Sequence, residues 1–406
     1  MGALLLSPLR WSRSAGKAGG VAARGRVVVL HFAGQMPLAG IAWQALHYLL
    51  GFERLGYEAW YVEDHGANPY DPRLNSIVTD NAPNIAYLKG LMERFGLGQR
   101  WAYWDAINDR YHGMTRGAVA GLFRGADALF NLCGATRLRE HHMACKRRVM
   151  VDTDPVYEQI KYAEADAAAR AYLDAHTHFF TYGENVGGPG WIVPLCGIAW
   201  QPTRPPVVLD LWPADGQGGA SFSTIATWEN KGKNIDFQGE RYVWSKHVNF
   251  LRFLDLPKLS KQDFTVALNS APPEAEREIK ANGWRVIDAR AVSLTLGEYG
   301  DFIRASRGEF TVAKDIYVRP RSGWFSDRSV CYLASGRPVV TMDTGFSRFY
   351  PVGEGLFDYS DTGGALAAIA SINADYPRHC RAARDIAAEY FDAGRVLPAM
   401  LAGVGL

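Results

Sequence analysis

Short apolar runs alternate along this chain with longer stretches whose apolar positions recur every three to four residues. Residues 27–30 form the first such run. It is continuous and β-branched, the pattern of a parallel strand buried on both faces. A loop with Gly and Pro follows at 34–40, and then Ile41, Ala45, Tyr48, Leu49 and Phe52 predict a helix over 41–55. Gly56 stops it in the C-cap position, and residues 59–62 predict the next strand, ending in Glu63, Asp64 and His65. Strand, loop, helix, Gly and strand open a Rossmann-like domain. The G-x-G-x-x-G phosphate fingerprint is missing, which argues against a dinucleotide oxidoreductase.

The alternation continues with predicted strands at 128–132, 148–151 and 178–182. Gly and Pro then accumulate between 183 and 220, as in a linker. Beyond it, strands are predicted at 222–227, 264–268, 284–287, 310–313, 338–341 and 356–359. Helices are predicted at 246–254, 273–281, 296–305, 327–334, 363–373 and 379–390. The expected fold is therefore α/β, with a Rossmann-like domain at 26–205 and another at 206–380 facing a cleft. Residues 1–25, rich in Gly, Ala, Ser and Arg, read as a disordered leader.

Composition narrows the function. The 406 residues carry 44 Lys+Arg against 42 Asp+Glu, so charge gives no reason to expect nucleic acid as a partner. Five cysteines, without a C-x-x-C pair, point to a reducing, cytoplasmic setting. No apolar run reaches the length of a transmembrane helix. His141 and His142 near Cys145 read as a solvated helix end, and no metal site is expected.

The most informative stretch is Arg321-Ser-Gly-Trp-Phe-Ser-Asp-Arg-Ser329 with its continuation Ala-Ser-Gly-Arg-Pro-Val-Val340. A loop with Gly opens a helix at Ser326 or Asp327, either of which is a natural N-cap. The amides of Arg328 and Ser329, with the Arg319, Arg321 and Arg328 side chains, favour an anion there.

This order, Gly-Trp-x-Ser, a short helix and Ala-x-Gly-x-Pro-Val-Val, resembles the donor segment of the GT-B glycosyltransferases, over about residues 305–375. The resemblance implies a nucleotide-diphosphate sugar, UDP most of all, with Arg321, Ser326, Asp327, Arg328 and Ser329 at the diphosphate and Gly345 and Phe346 at the sugar. It places the 228–242 loop near the phosphates, with Trp228 for stacking and Lys233 for charge, and Lys314 also serves the phosphates. Where the family carries Gly-His after the first strand, this chain has Gly34-Gln35. The base is then His31, at the end of that strand, or a carboxylate such as Asp152 or Asp154. Gln35, Asp64 and His65 are expected to contact a small-molecule or glycan acceptor. Residues 381–406 are expected to cross back to the first domain. The implied enzyme is bacterial in type, needs no metal and carries no cofactor. The alternatives are a nucleotide-sugar epimerase of this architecture and a non-catalytic nucleotide-binding homologue.

Overall fold

A computed structural model describes residues 23–215 and 217–406. Most of the expected leader lies outside the described residues. Two sheets organise the chain. The first holds β1 (Arg26–Leu30), β2 (Glu58–Glu63), β3 (Trp101–Asp105), β4 (Arg110–His112), β5 (Ala128–Leu132), β6 (Arg148–Asp152), β7 (His178–Thr181) and β8 (Trp200–Pro202). Its order is β8-β7-β6-β5-β1-β2-β3-β4, parallel throughout except for β4 at one edge. The second holds β9 (Ser221–Thr227), β10 (Asp263–Asn269), β11 (Arg285–Asp288), β12 (Gly308–Thr311), β13 (Val339–Met342) and β14 (Leu356–Tyr359). Its order, β11-β10-β9-β12-β13-β14, is that of a doubly wound sheet, all parallel.

The apolar runs become the central strands because both faces are covered: Val27 through Leu30 are wholly buried. Helix α1 (Ala39–Arg54) buries ten residues, Trp43, Leu46 and Leu49 among them, and Gly56 closes its end with φ +85, a left-handed turn that suits glycine. In the second domain, α3 (Asp327–Ala334) and α4 (Tyr376–Ile386) pack on the sheet, while α2 (Leu296–Arg304) packs on α1 and α3.

The expected helix at 246–254 is broken instead into His247–Phe250 and a 3-10 turn at Leu251–Phe253. The expected helix at 379–390 starts earlier, at Tyr376, behind an Asp375 cap, and passes into a π-helical segment at Ala387–Phe391. The chain then bends at Asp392 into α5 (Ala393–Gly403), which packs on α1 of the first domain. Gly51 of α1 lies so close that an added Cβ would stand 2.3 Å from Leu397 Cδ1. The outward and returning crossings are tied together: Val207 N–H donates to Phe391 O (2.7 Å) and Ala393 N–H to Val207 O (2.9 Å). No helix among the described residues is long and apolar enough to cross a membrane.

Candidate active site

A cavity of about 370 Å³ lies between the two sheets. The first domain lines it with the start of α1, including Gly40, Ile41 and Gln44, and with Tyr70 from a small hairpin. The second domain supplies the carboxyl ends of β9 and β10 and the loop after β11, together with Trp244, Lys246, Tyr299, Lys314, Asp327 and Arg328. In open α/β sheets ligands sit at these strand ends. A second space of about 360 Å³ shares Asn269 and Arg290 with the first and runs out toward Asn75 and Asp288.

Positive charge dominates this wall. Arg328 is locked from behind: its Nε donates to Glu309 Oε1 (2.6 Å), one terminal nitrogen to Ile225 O (2.9 Å) and the other to Thr311 Oγ1 (3.0 Å). Burial opposes its charge, but the Glu309 carboxylate outweighs this and holds the guanidinium above its ordinary range. Lys314 donates to Asp154 Oδ1 and to the Tyr317 hydroxyl (2.9 Å each), and its ammonium lies 4.0 Å from the centre of the Trp244 ring. Lys246 is nine-tenths buried and makes no salt bridge with a described residue. Burial, reinforced by Arg328, pushes its ammonium well below the usual lysine range.

Two carboxylates accompany these cations. Asp327 borders the cavity at the start of α3, where its Oδ1 accepts the Arg328 N–H (2.9 Å). Burial raises its pKa. One helix-start amide expected for phosphate is therefore satisfied by the chain itself. Ser326 holds the N-cap position with no side-chain cap bond, and Ser329 is enclosed with its hydroxyl unpartnered. Asp154, after β6, reaches across to Lys314 and Tyr317 of the second domain. Burial raises its carboxyl, but the Lys314 charge and the hydrogen bonds from Tyr317 and Lys314 outweigh it, so the group stays below the usual carboxylate range. The turn that directs Asp154 includes Val156 at φ 92, rare for a β-branched residue and held by its N–H donating to Gln159 Oε1 (2.7 Å).

Several expected site residues lie elsewhere. His31 is completely buried beneath the cleft, where burial holds its pKa at about 4, so no acceptor hydroxyl reaches it. Trp228 packs against Phe250 in the second-domain core, and Phe346 is wholly buried against Phe325; neither ring is free to stack on a ligand. A strand-end aromatic carries no mark in sequence that separates core from platform. Lys233 is exposed, with its ammonium 4.7 Å from the centre of the Trp244 ring. Arg321 pairs with Asp343 (3.0 Å), whose other oxygen accepts the Gly345 N–H (2.8 Å); none of the three lines the cavity. The Gln35 amide donates to Asn68 O (2.8 Å), while the Gly34 and Gln35 N–H groups are taken by the buried Glu63 carboxylate, which His65 also faces at 3.2 Å.

Asp64 is buried and grips Arg139, His141 and His142. Among the described residues these are the one trio whose ligand atoms, all within 4.8 Å, could hold a metal ion. However, His142 Nδ1 accepts the Arg139 N–H (2.9 Å), which leaves the ring proton on Nε2, facing the carboxylate as a donor. Arg139 occupies the other oxygen. The trio is an ion-pair network remote from the cavity lining. Sequence inspection missed Lys246, Trp244, Gln44 and Tyr299, since none belongs to a local motif and each joins the site only through tertiary packing.

No family model matches the sequence, and no curated protein matches it. Solved structures do. An alpha-glucosyltransferase in complex with UDP-glucose and DNA containing an abasic site is 11% identical with a TM-score of 0.56, covering 94% of this chain and 100% of that one. AviGT4, a glycosyltransferase involved in avilamycin A biosynthesis, is 12% identical with a TM-score of 0.54, covering 94% and 97%. Anabaena HepE in complex with UDP and glucose is 11% identical with a TM-score of 0.51, covering 93% and 99%. The chain has the GT-B fold of these enzymes.

Proposed function

We propose that this protein is a glycosyltransferase that moves a sugar from a nucleoside-diphosphate sugar, a UDP-sugar, to a small-molecule or glycan acceptor, without a metal ion. The observation that carries the reading is Lys246. A buried ammonium without a salt-bridge partner among the described residues is costly, and a phosphate offsets that cost. With Lys314 and Arg328 on the same wall, it supplies the charge that a departing diphosphate needs, in place of a divalent cation. Solved structures of the same fold are described with UDP or UDP-glucose bound, which supports the choice of nucleotide. Asp327 borders the same space and Asp154 reaches into the domain seam, so the carboxylates available to handle a proton or a sugar hydroxyl are these two, not His31.

Calorimetric titration with UDP, with and without EDTA, tests this. Binding should be unaffected by EDTA. Lys246→Met should weaken it roughly tenfold to a hundredfold, as expected for one charge-assisted contact of about 1.5–3 kcal/mol. No UDP binding by the unaltered chain, or equal affinity in Lys246→Met, would remove the basis of the assignment.

A further inference from the structure

The first domain offers the cavity one polar side chain whose orientation is dictated from behind. Gln44 projects from α1 and borders both the main cavity and a water-sized void of about 10 Å³ beside it. Its Oε1 accepts the Cys133 S–H (3.1 Å) and faces His31 Nε2 at 3.0 Å. The Thr153 hydroxyl donates to the same sulfur (3.1 Å), which leaves the S–H to the Gln44 oxygen. His31 is neutral near pH 7 and carries one ring proton. Nδ1 is buried without a partner, so a proton there would be an unpaired donor; the proton therefore sits on Nε2, which faces the Gln44 carbonyl oxygen. Turning the amide over would set its NH2 against the S–H and the imidazole N–H. The Gln44 NH2 therefore points away from this cluster, and it makes no hydrogen bond with a described residue.

Across the domain seam, Asp327 borders the same cavity and the same void. One of its oxygens takes the Arg328 N–H, and neither forms a salt bridge with a described residue, because the Arg328 side chain turns to Glu309. A pure donor from one domain and a pure acceptor from the other thus border one space, beside the three cations. We propose that Gln44 and Asp327 together read a hydroxyl of the transferred sugar, Gln44 donating to its oxygen and Asp327 accepting its proton. A hydroxyl satisfies both groups, whereas an ether, a deoxy position or a keto group leaves one of them unpaired. His31 and Cys133 act as positioning residues through Gln44. The inference rests on the nucleotide-sugar reading, since the sugar is tethered to the diphosphate that the cations hold.

The test compares UDP with UDP-glucose, UDP-galactose and UDP-N-acetylglucosamine by calorimetry without acceptor. At least one sugar nucleotide should bind the unaltered protein more tightly than UDP. In Gln44→Met, which keeps the volume and removes the donor, that advantage should shrink roughly five- to tenfold while UDP affinity stays within about twofold. Gln44→Glu should lose more, because it sets an acceptor toward Asp327. Cys133→Val should lose part of the advantage and Cys133→Ser, which still donates, should restore it. Should Gln44→Met not fold, Asp327→Asn gives the same comparison with the acceptor reversed. An undiminished advantage in the variants overturns the proposal. So does equal weakening of UDP, which would place Gln44 at the nucleotide, or a change only in acceptor KM, which would place it at the acceptor. If no nucleotide binds the unaltered chain, the underlying reading fails instead.

Discussion

Arg328 illustrates how a residue can be in the right place for a different reason. As a motif position it reads as a phosphate ligand; in the structure three of its five N–H donors are spent on Glu309, Ile225 and Thr311. Glu309 is wholly buried, so Arg328→Ala leaves an uncompensated carboxylate. The expected cost is about 3–5 kcal/mol of stability, read by denaturant unfolding, together with weaker UDP binding. Glu309→Gln in the same chain should recover part of the stability. Arg321→Ala, by contrast, removes a half-exposed pair with Asp343 and should cost less than about 1 kcal/mol without altering UDP affinity. The local stretch made Asp327 and Arg328 legible, but only the buried partner tells a structural arginine from one left free for a ligand.

Asp152 is the second residue whose chemistry depends on its surroundings. Burial, with the nearby Asp154 charge, raises its pKa to about 7 although Gln159 opposes the shift. The folded chain therefore keeps this proton up to about pH 7, while the unfolded chain releases it near 4. Its contribution to stability is complete below the unfolded value and is lost as pH rises through 7, on the order of 1–4 kcal/mol. Asp152→Asn, which cannot titrate, should flatten the fall in melting temperature between pH 4 and 7. An unchanged slope would show that the group is ionised in the fold.

At the scale of elements, the strands of the second half were legible because each predicted run matched one parallel strand, all but the partly exposed edge strand β11 largely buried. Residues 65–110 were not. There, a helix at Ala82–Arg94 is capped without a side-chain bond, and β3, Trp101–Asp105, mixes aromatics without strict alternation. The turn of α4 through a π-helical segment into α5 also leaves no periodic signal, although the apolar residues of 391–401 require a partner surface. That surface is α1. Gly51→Val should be severely destabilising, because the new side chain would enter the space of Leu397 and Ala393. We expect a loss of several kcal/mol or insoluble expression, whereas Gly90→Ala on an open helix face should be neutral or slightly stabilising.

For the whole molecule, the cleft concentrates cations whose charged forms are penalised until an anion arrives. Burial lowers both Lys246 and Lys314, the first with repulsion from Arg328, the second with Asp154 opposing the shift. A bound diphosphate favours their protonated forms, so binding draws protons onto the protein wherever the free groups are partly neutral. Affinity is full below the free-state pKa values and falls as pH rises through them, and because these are lowered, the fall begins below the ordinary lysine range of about 10.4. Asp327, raised by burial, acts in the same direction. When it ionises with rising pH, it adds negative charge beside the phosphates and weakens their binding. UDP titrations in buffers of unlike ionisation enthalpy should therefore show net proton uptake on the alkaline side of neutrality. Lys246→Met should abolish most of that uptake even where residual binding can still be measured. Uptake that survives in this variant would assign the protons to Lys314, and their complete absence in the unaltered protein would mean that the cations are already charged in the empty cleft.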